Sequence, residues 1–507
     1  MKPDDPEGQA LRAMRTFFVT TPIYYANAEP HIGHTYTTVV ADVLVRWHRQ
    51  RGDAVWSVSG TDEHGEKLVE AARAAAEAPD VFTARMSAAF QRVWAEVGIA
   101  PSRFVRTTEP RHRANVQRIL QQVYDAGWIE SREYEGLYCV GCERFLVERD
   151  LKDGLCIDHE RAPESRRETN YFFLMSRAFG WLRDHIQAHP EFIHPERYRN
   201  EALAMLRDES GLGDLSISRP KTRLDWGIEL PFDRDHVCYV WFDALISYLT
   251  GAGYPDDPAF AARWANAHHL IAKDILKPHA IFWPIMLRAI GLAPYRSLHV
   301  HGYWSTDERK ISKSLGNVIR PLAMRDRYGF EAFRWYLLRE MSYGLDSSFG
   351  EDALVERVNA DLANNLGNLV SRTLNLVEKL CDGAVPEGGE PDPADLEVRD
   401  GAAAAAERID AAMETVQPHL ALAALTEYAT LVNRYVDARA PWKTSKDPAT
   451  APEARRTLHW ACFALGVLAR LLEPFLPEAA RTIAAKLAAR PITRGVPLFP
   501  RVARSDA

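Results

Sequence analysis

Two clusters, far apart in the chain, carry side chains suited to handling a triphosphate. Near the N-terminus, Pro30-His31-Ile32-Gly33-His34 sets two histidines around a glycine. In the middle, Lys310-Ile311-Ser312-Lys313-Ser314 sets two lysines three apart among hydroxyls. Glycine lets a backbone approach a ligand closely, and His31 and His34 add donors where negative charge would develop. Lys310 and Lys313 are flexible point charges that can settle on phosphates and neutralise departing pyrophosphate. Plain readings stand beside these: a pair of histidines that caps and packs a helix, and a solvated lysine loop. The two clusters together, in this order and context, favour phosphate chemistry.

The first cluster follows an apolar run, Phe17-Phe18-Val19-Thr20, and a turn-rich stretch from Tyr24 to Pro30. It opens a segment to Gln50 with apolar residues at Val39, Val40, Val43, Leu44 and Trp47. That pattern predicts strand, loop and helix, and the free amides and dipole at the helix start suit a phosphate.

A second kind of chemistry lies in Cys139-Val140-Gly141-Cys142, thirteen residues, then Cys156-Ile157-Asp158-His159. Two ligand pairs of this spacing, each on its own knuckle, predict a closed tetrahedral zinc site. With Cys139, Cys142, Cys156 and His159 all bound, no position is left for water, so the zinc is structural. A redox C-x-x-C is the weaker reading, because the second pair ends in histidine. Cys238, Cys381 and Cys462 sit among apolar neighbours and read as core.

Alternating strand-like and helix-like runs from Phe17 to about Trp128 predict a doubly wound parallel (Rossmann-like) sheet, an α/β fold. Residues 16–128 form its first half. Residues 129–235 are an insertion with the zinc knuckle and a return segment, Asp214 to Arg219. The sheet resumes in 236–300, at Val237 to Phe242 and at His269 to Ala272. Residues 301–365 carry the Lys310 loop. From about Glu351 strand patterning gives way to alanine-rich, 3.6-periodic segments, so 366–507 is a C-terminal helical bundle, broken by a loop at Val385 to Pro393.

The chain has 507 residues, 47% of them hydrophobic and 26% charged, as in an ordinary multidomain soluble enzyme. No apolar run reaches the roughly 18 residues that span a bilayer, and the acidic N-terminus has neither a secretory nor a transit pattern. A cytoplasmic protein is expected. The net charge of −7 argues against indiscriminate coating of nucleic acid and for local basic patches.

In His31-Ile32-Gly33-His34 and Lys310-Ile311-Ser312-Lys313-Ser314 the chain resembles the class I aminoacyl-tRNA synthetases, whose signatures read H-I-G-H and K-M-S-K-S. Ile311 replaces the usual methionine, an apolar exchange. Within that class it is similar to the methionyl-tRNA synthetases of the single-zinc-knuckle type, from about Thr16 to the C-terminus. The likeness rests on Ser59 to Gly65, Val240 to Tyr248, Lys273 to His279 and the knuckle, with Ala272 where glycine is frequent.

By residue type, a methionine side chain needs aromatic walls and few polar groups. Ile23, Tyr25, Trp241, Ala244, Leu245, Tyr248, Ile275 and His279 could line such a site. Asp62, just past a predicted parallel strand, could pair with an ammonium. Pattern alone makes the aromatic stripe at 239–248 core before pocket; the resemblance reverses that order.

The resemblance implies a methionine–tRNA ligase. Methionine and magnesium-bound ATP give methionyl-adenylate and pyrophosphate, and the 2′-hydroxyl of the tRNA's terminal adenosine then takes the methionyl group. His31 and His34 would stabilise the α-phosphate. Gly33, Ser312, Lys310 and Lys313 would complete the ATP site. Asn368 and Arg372, four apart on one helix face, and Trp442 would grip the anticodon of initiator and elongator methionine tRNAs. Taken alone, these three read as solvated surface and a covered core edge. A monomer is expected, for want of the dimerising barrel some relatives append. The rivals are another enzyme of the superfamily and a non-catalytic, zinc-bearing RNA-binding protein. Small adenylyltransferases lack a helical C-terminal domain, and RNA binding alone needs none of the phosphate residues.

Overall fold

The computed structural model describes residues 15–140, 144–146, 148–208, 212–306, 309–310 and 318–503. The chain forms two compact units, residues 1–30 with 52–301 and residues 31–51 with 302–507.

The first unit is built on a six-stranded sheet: β1 (Thr16–Tyr25), β2 (Ala54–Asp62), β3 (Arg103–Arg106), β4 (Ile193–His194), β5 (Ala267–Ala272) and β6 (Ser297–His301). Their order is β3-β2-β1-β5-β6-β4, and every neighbouring pair is parallel. Phe18, Val19, Val58, Val105, Ile271 and Val300 are fully or almost fully buried, the near-continuous apolar runs of a sheet covered on both faces. Strand order reverses between β1 and β5, and ligands of such folds bind beyond the strand ends at that switch.

Helices fix the strand ends. The chain leaves β1 for α1 (Ile32–Gln50), which belongs to the second unit. In the first unit, α2 (Pro110–Asp125) and α3 (Val240–Ala252) flank the sheet. A Cβ on Gly251 would lie 2.5 Å from Val58 Cγ1, so the glycine is what lets α3 press onto β2. Gly60 has a similar task, since a Cβ there would meet Val105 O at 2.2 Å.

The stretch Val237 to Phe242 does not rejoin the central sheet. His236–Cys238 pairs antiparallel with Ser218–Pro220 outside it, and the chain is helical from Val240. An apolar run buried on all sides reads alike as strand or helix. The segment 129–235 holds a long antiparallel hairpin, Ile129–Cys139 with Glu164–Phe173, and also supplies the edge strand β4.

In the second unit, Trp304–Thr306 lies between Arg309–Lys310 and Ser347–Ser348 in a small sheet. A π-helical stretch, Val358–Gly367, then leads into α4 (Asn368–Leu380). There follow α5 (Pro393–Glu414), α6 (Pro418–Arg439), α7 (Ala451–Leu472) and α8 (Pro477–Ala488). Leu369, Leu374, Val398, Leu422, Leu425, Leu458 and Leu465 recur at helical spacing and are buried. After α8 an extended strap runs back along the bundle, anchored where buried Ile492 donates its amide to Gly383 O at 2.7 Å. Among the described residues no helix is long and apolar enough to cross a membrane.

Candidate active site, metal centre and nucleic-acid interface

His31 is the N-cap of α1, so the capping reading holds. His31 Nδ1 accepts from Gly33 N at 3.1 Å, and His34 Nδ1 accepts from His31 N at 3.3 Å. An Nδ1 that accepts places the ring proton on Nε2. Both imidazoles, stacked with centroids 3.8 Å apart, are therefore Nε2–H donors.

The expectation of free amides at this helix start needs correction. Ile32 N donates to Ile319 O at 2.9 Å, Thr35 N donates to His31 O, and the His31 side chain takes the amides of Gly33 and His34. The donors at this turn are the imidazoles, supported by the dipole. Gly33 is required by the ring beside it, since a Cβ would stand 3.0 Å from His31 Cε1.

Lys310 closes the short strand Arg309–Lys310, opposite Ser305, in the same unit as His31. Ser312 and Lys313, like Cys142 of the zinc motif, lie outside the described residues.

In the first unit the proposed methionine residues gather at the switch point. Ile23 and Tyr25 end β1, in register with Gly60 and Asp62 of β2. Ile275 and His279 follow β5 through a tight turn and a π-helical stretch, Pro278–Phe282. Trp241, Ala244, Leu245 and Tyr248 come from α3. Tyr248 and His279 touch: Tyr248 Oη donates to His279 Nε2 at 2.7 Å, and His279 Nδ1 donates to Ile275 O at 2.8 Å. Burial lowers the His279 pKa to about 4, so the ring is neutral at pH 7, and burial raises that of Tyr248. Trp241 stands edge-on to His279, with centroids 6.2 Å apart. Leu245, Tyr248 and His279 are buried, while Ile23, Tyr25, Trp241 and Ile275 are partly exposed, which makes an apolar wall around a neutral polar pair.

Sequence reasoning missed the groups that hold the two residues after Asp62, Glu63 and His64. Glu63, fully buried, takes both arms of the Arg106 guanidinium at 2.8 and 2.9 Å, and hydroxyls of Thr61 and Thr108 as well. His64 and His112 clamp buried Asp243 from either side. The signal was Glu63-His64 directly after Asp62 at a strand end, where an apolar position would be ordinary. His269 was also missed; it donates from Nδ1 to Thr20 Oγ1 at 2.7 Å and accepts from Trp283 Nε1 at 3.1 Å.

At the knuckle, His159 Nδ1 lies 4.0 Å from Cys139 Sγ and 3.9 Å from Cys156 Sγ. Ligands about 2.3 Å (S) and 2.0–2.1 Å (N) from one zinc would stand roughly 3.6 Å apart at tetrahedral angles, so the three donors fit with a small closure. The turn between Leu151–Lys152 and Leu155–Cys156 has Asp153 at φ 54° and Gly154 at φ 77°, the Asp-Gly pair such hairpins favour.

In the helical region Arg372 stacks on Trp442, with Cζ 4.6 Å from the ring centroid, and its guanidinium donates to Asp437 Oδ1 at 2.6 Å. Asn368 is exposed at the start of the same helix and lines a groove with residues of the strap.

The family model for "tRNA synthetases class I (M)" matches residues 17–156 and 147–374. That for the "Anticodon binding domain of methionyl tRNA ligase" matches 385–494. With a parallel sheet followed by a helical domain, these matches make the chain a class I aminoacyl-tRNA synthetase. Methionine–tRNA ligases of Deinococcus radiodurans and Streptomyces coelicolor are 44% and 37% identical, over 96% and 99% of this chain and 72% and 99% of theirs. The structure of Mycobacterium tuberculosis methionyl-tRNA synthetase in complex with methionyl-adenylate superposes with a TM-score of 0.90 at 38% identity, covering 97% of this chain and 99% of that one. The chain belongs to the methionyl-tRNA synthetase family.

Proposed function

We propose that this methionine–tRNA ligase works by ATP-dependent activation of methionine followed by transfer to tRNA. The methionine side chain rests among Ile23, Tyr25, Trp241, Ala244, Leu245, Tyr248 and Ile275, with neutral His279 presenting no charge to the sulfur. Its ammonium pairs with Asp62. The carboxylate oxygen attacks the α-phosphorus of ATP, a P–O bond forms, and pyrophosphate leaves with the electrons of the broken one. His31 and His34 donate from Nε2 to the α-phosphate as charge builds, while Gly33 gives it room. Lys310, Ser312 and Lys313 hold the β- and γ-phosphates of the magnesium complex. No protein nucleophile takes part; positioning and charge stabilisation supply the rate.

In the second step the 2′-hydroxyl of the terminal adenosine attacks the methionyl carbonyl and AMP departs. Asn368, Arg372 and Trp442 select the methionine tRNAs through the anticodon. Exchange of the exposed Arg372–Asp437 pair for a base edge costs little, because such pairs contribute at most about 1 kcal/mol. Zinc held by Cys139, Cys142, Cys156 and His159 would supply a structural clamp for the knuckle. The functional division of the chain follows 16–128 and 236–300 for the catalytic halves, 129–235 for the insertion, 301–365 for the loop region and 366–507 for anticodon binding. The enzyme acts as a cytoplasmic monomer.

The observation that supports this reading is the capping geometry, which commits both Nδ1 atoms to the backbone and so places the ring protons on Nε2. The test is exchange of labelled pyrophosphate into ATP, screened over all twenty amino acids. Exchange with methionine alone supports it. Exchange with another amino acid sinks the pocket, and none at all from folded protein sinks the chemistry.

A further inference from the structure

His269 has no part in either chemical step, yet it is fully buried and both of its ring nitrogens are committed. It sits on β5 in register with Thr20 of β1, at a position where an apolar side chain would be ordinary. The Trp283 indole can only donate, so His269 Nε2 accepts and the ring proton lies on Nδ1, which donates to Thr20 Oγ1. Two hydrogen bonds to residues on different elements fix the tautomer and the rotation of the ring together. Thr20 and Trp283 are buried as well, so the ring cannot turn without leaving a buried polar group unpaired, which is costly.

What this fixed ring touches gives it a task. Tyr248 lies against it with centroids 4.4 Å apart, and Tyr295 stands edge-on to it at 4.7 Å. Both tyrosines reach His279. Tyr248 Oη donates to the His279 side chain at Nε2, and Tyr295 Oη donates to the His279 backbone carbonyl at 2.9 Å. All three rings are buried, and in a close-packed interior a ring cannot shift unless its neighbours follow. The tilt of Tyr248 sets where its hydroxyl lies, and the hydroxyl in turn orients His279. His269 is thus a shared support for the two groups that hold His279 in place.

We infer that His269 is a positioning residue for the amino acid: braced between Thr20 and Trp283, it holds Tyr248 and Tyr295 against His279 and so sets the length of side chain that this wall admits. The inference rests on the reading that Tyr248 and His279 line the methionine site. A plain reading makes His269 a satisfied core histidine that only fills space.

The test is amino-acid-dependent exchange of labelled pyrophosphate into ATP, with methionine and with ethionine, its S-ethyl homologue one methylene longer. The variants are His269→Ala, His269→Gln and Tyr295→Phe, with Tyr248→Phe for reference and circular-dichroism melting to report folding. His269→Ala removes the brace. It should raise the methionine KM more than it lowers kcat, and reduce the preference for methionine over ethionine in kcat/KM by about tenfold, the smaller end of what one methylene is worth. His269→Gln returns an acceptor to Trp283 and should keep more of that preference. Tyr295→Phe keeps its ring, loses the bond to His279 O, and should move the preference the same way by less. A fall in kcat with the preference held makes His269 core alone and overturns the inference. Unchanged kinetics in His269→Ala, while Tyr248→Phe alters the preference, overturns it too. If His269→Ala does not fold, the decision passes to His269→Gln and Tyr295→Phe, and an unchanged preference in both overturns it. If Tyr248→Phe is also without effect, the methionine-site reading beneath it falls as well.

Discussion

His64 Nδ1 lies 2.6 Å from Asp243 Oδ2, and both residues are buried. The other carboxylate oxygen meets His112 Nε2 at the same distance. Burial pushes the Asp243 carboxyl upward, but attraction to His64 and the hydrogen bonds from both histidines more than offset it and hold it below its ordinary range. The carboxylate thereby ties α3, with Trp241 and Tyr248, to the segment that follows Asp62. Asp243→Asn should lower stability by about 3–5 kcal/mol, the cost of breaking a buried charged network by removing one partner. It should also raise the methionine KM more than it lowers kcat. Urea unfolding and exchange kinetics check both; a stability loss under 1 kcal/mol would remove the clamp from the account.

His279 gives the fold a defined weakness toward acid. The unfolded imidazole takes a proton near pH 6.5, the folded one only near pH 4. The neutral ring is therefore worth its full contribution above pH 6.5, and that contribution is lost as pH falls from about 6.5 toward 4. The span corresponds to roughly 3 kcal/mol. Burial also holds His269 and His299 well below the usual value, with the same sign. Unfolding midpoints from pH 7.5 to 5 should fall steeply, and less steeply in His279→Gln. Parallel curves for the two proteins would show that the ring does not titrate in this way.

Gly33→Ala separates stability from activity. Alanine favours a helix over glycine by up to about 1 kcal/mol, so the melting temperature should hold or rise. The new Cβ would press on the His31 ring from 3.0 Å and turn its Nε2 off line. One lost preorganised donor costs about 2.7–4 kcal/mol of barrier, which is a hundredfold to a thousandfold in rate. Methionine-dependent exchange should fall by that order in a protein that melts no earlier than the parent. Full activity would mean that His31 serves only as a cap.

The parallel sheet, the helical C-terminal region and the place of His31 and His34 at a helix start were legible in the sequence, because short apolar runs, period-3.6 runs and a glycine between histidines are local signals. Asp62 was legible for the same reason, lying at the end of a strand. What holds the residues after it was not: the Glu63–Arg106 and His64–Asp243–His112 contacts join residues far apart in the chain, and no local pattern announces them. The occupied amides of the first turn of α1 were hidden likewise, since Ile319, which fills one of them, is remote in sequence. The helical bundle expected over 366–507 ends at Ala488, and the strap beyond it has no helical periodicity to mark it in advance.

The knuckle offers a prediction that does not depend on activity. Cys139 and Cys156 are buried beside Leu146, and His159, exposed, reaches them from the turn. A metal bound there would replace part of the core that so small a hairpin lacks, and its binding energy would be folding energy for the segment. Purified protein should carry one zinc per chain, and Cys156→Ser should lose it. The variant should be cut by protease between about residues 139 and 164 at least tenfold faster, while the helical domain melts as before. His159→Cys should keep the metal, because a thiolate at that position still closes a tetrahedral set. A folded parent without zinc, or a Cys156→Ser variant that retains it, would leave Cys139, Cys156 and His159 as a small reduced core.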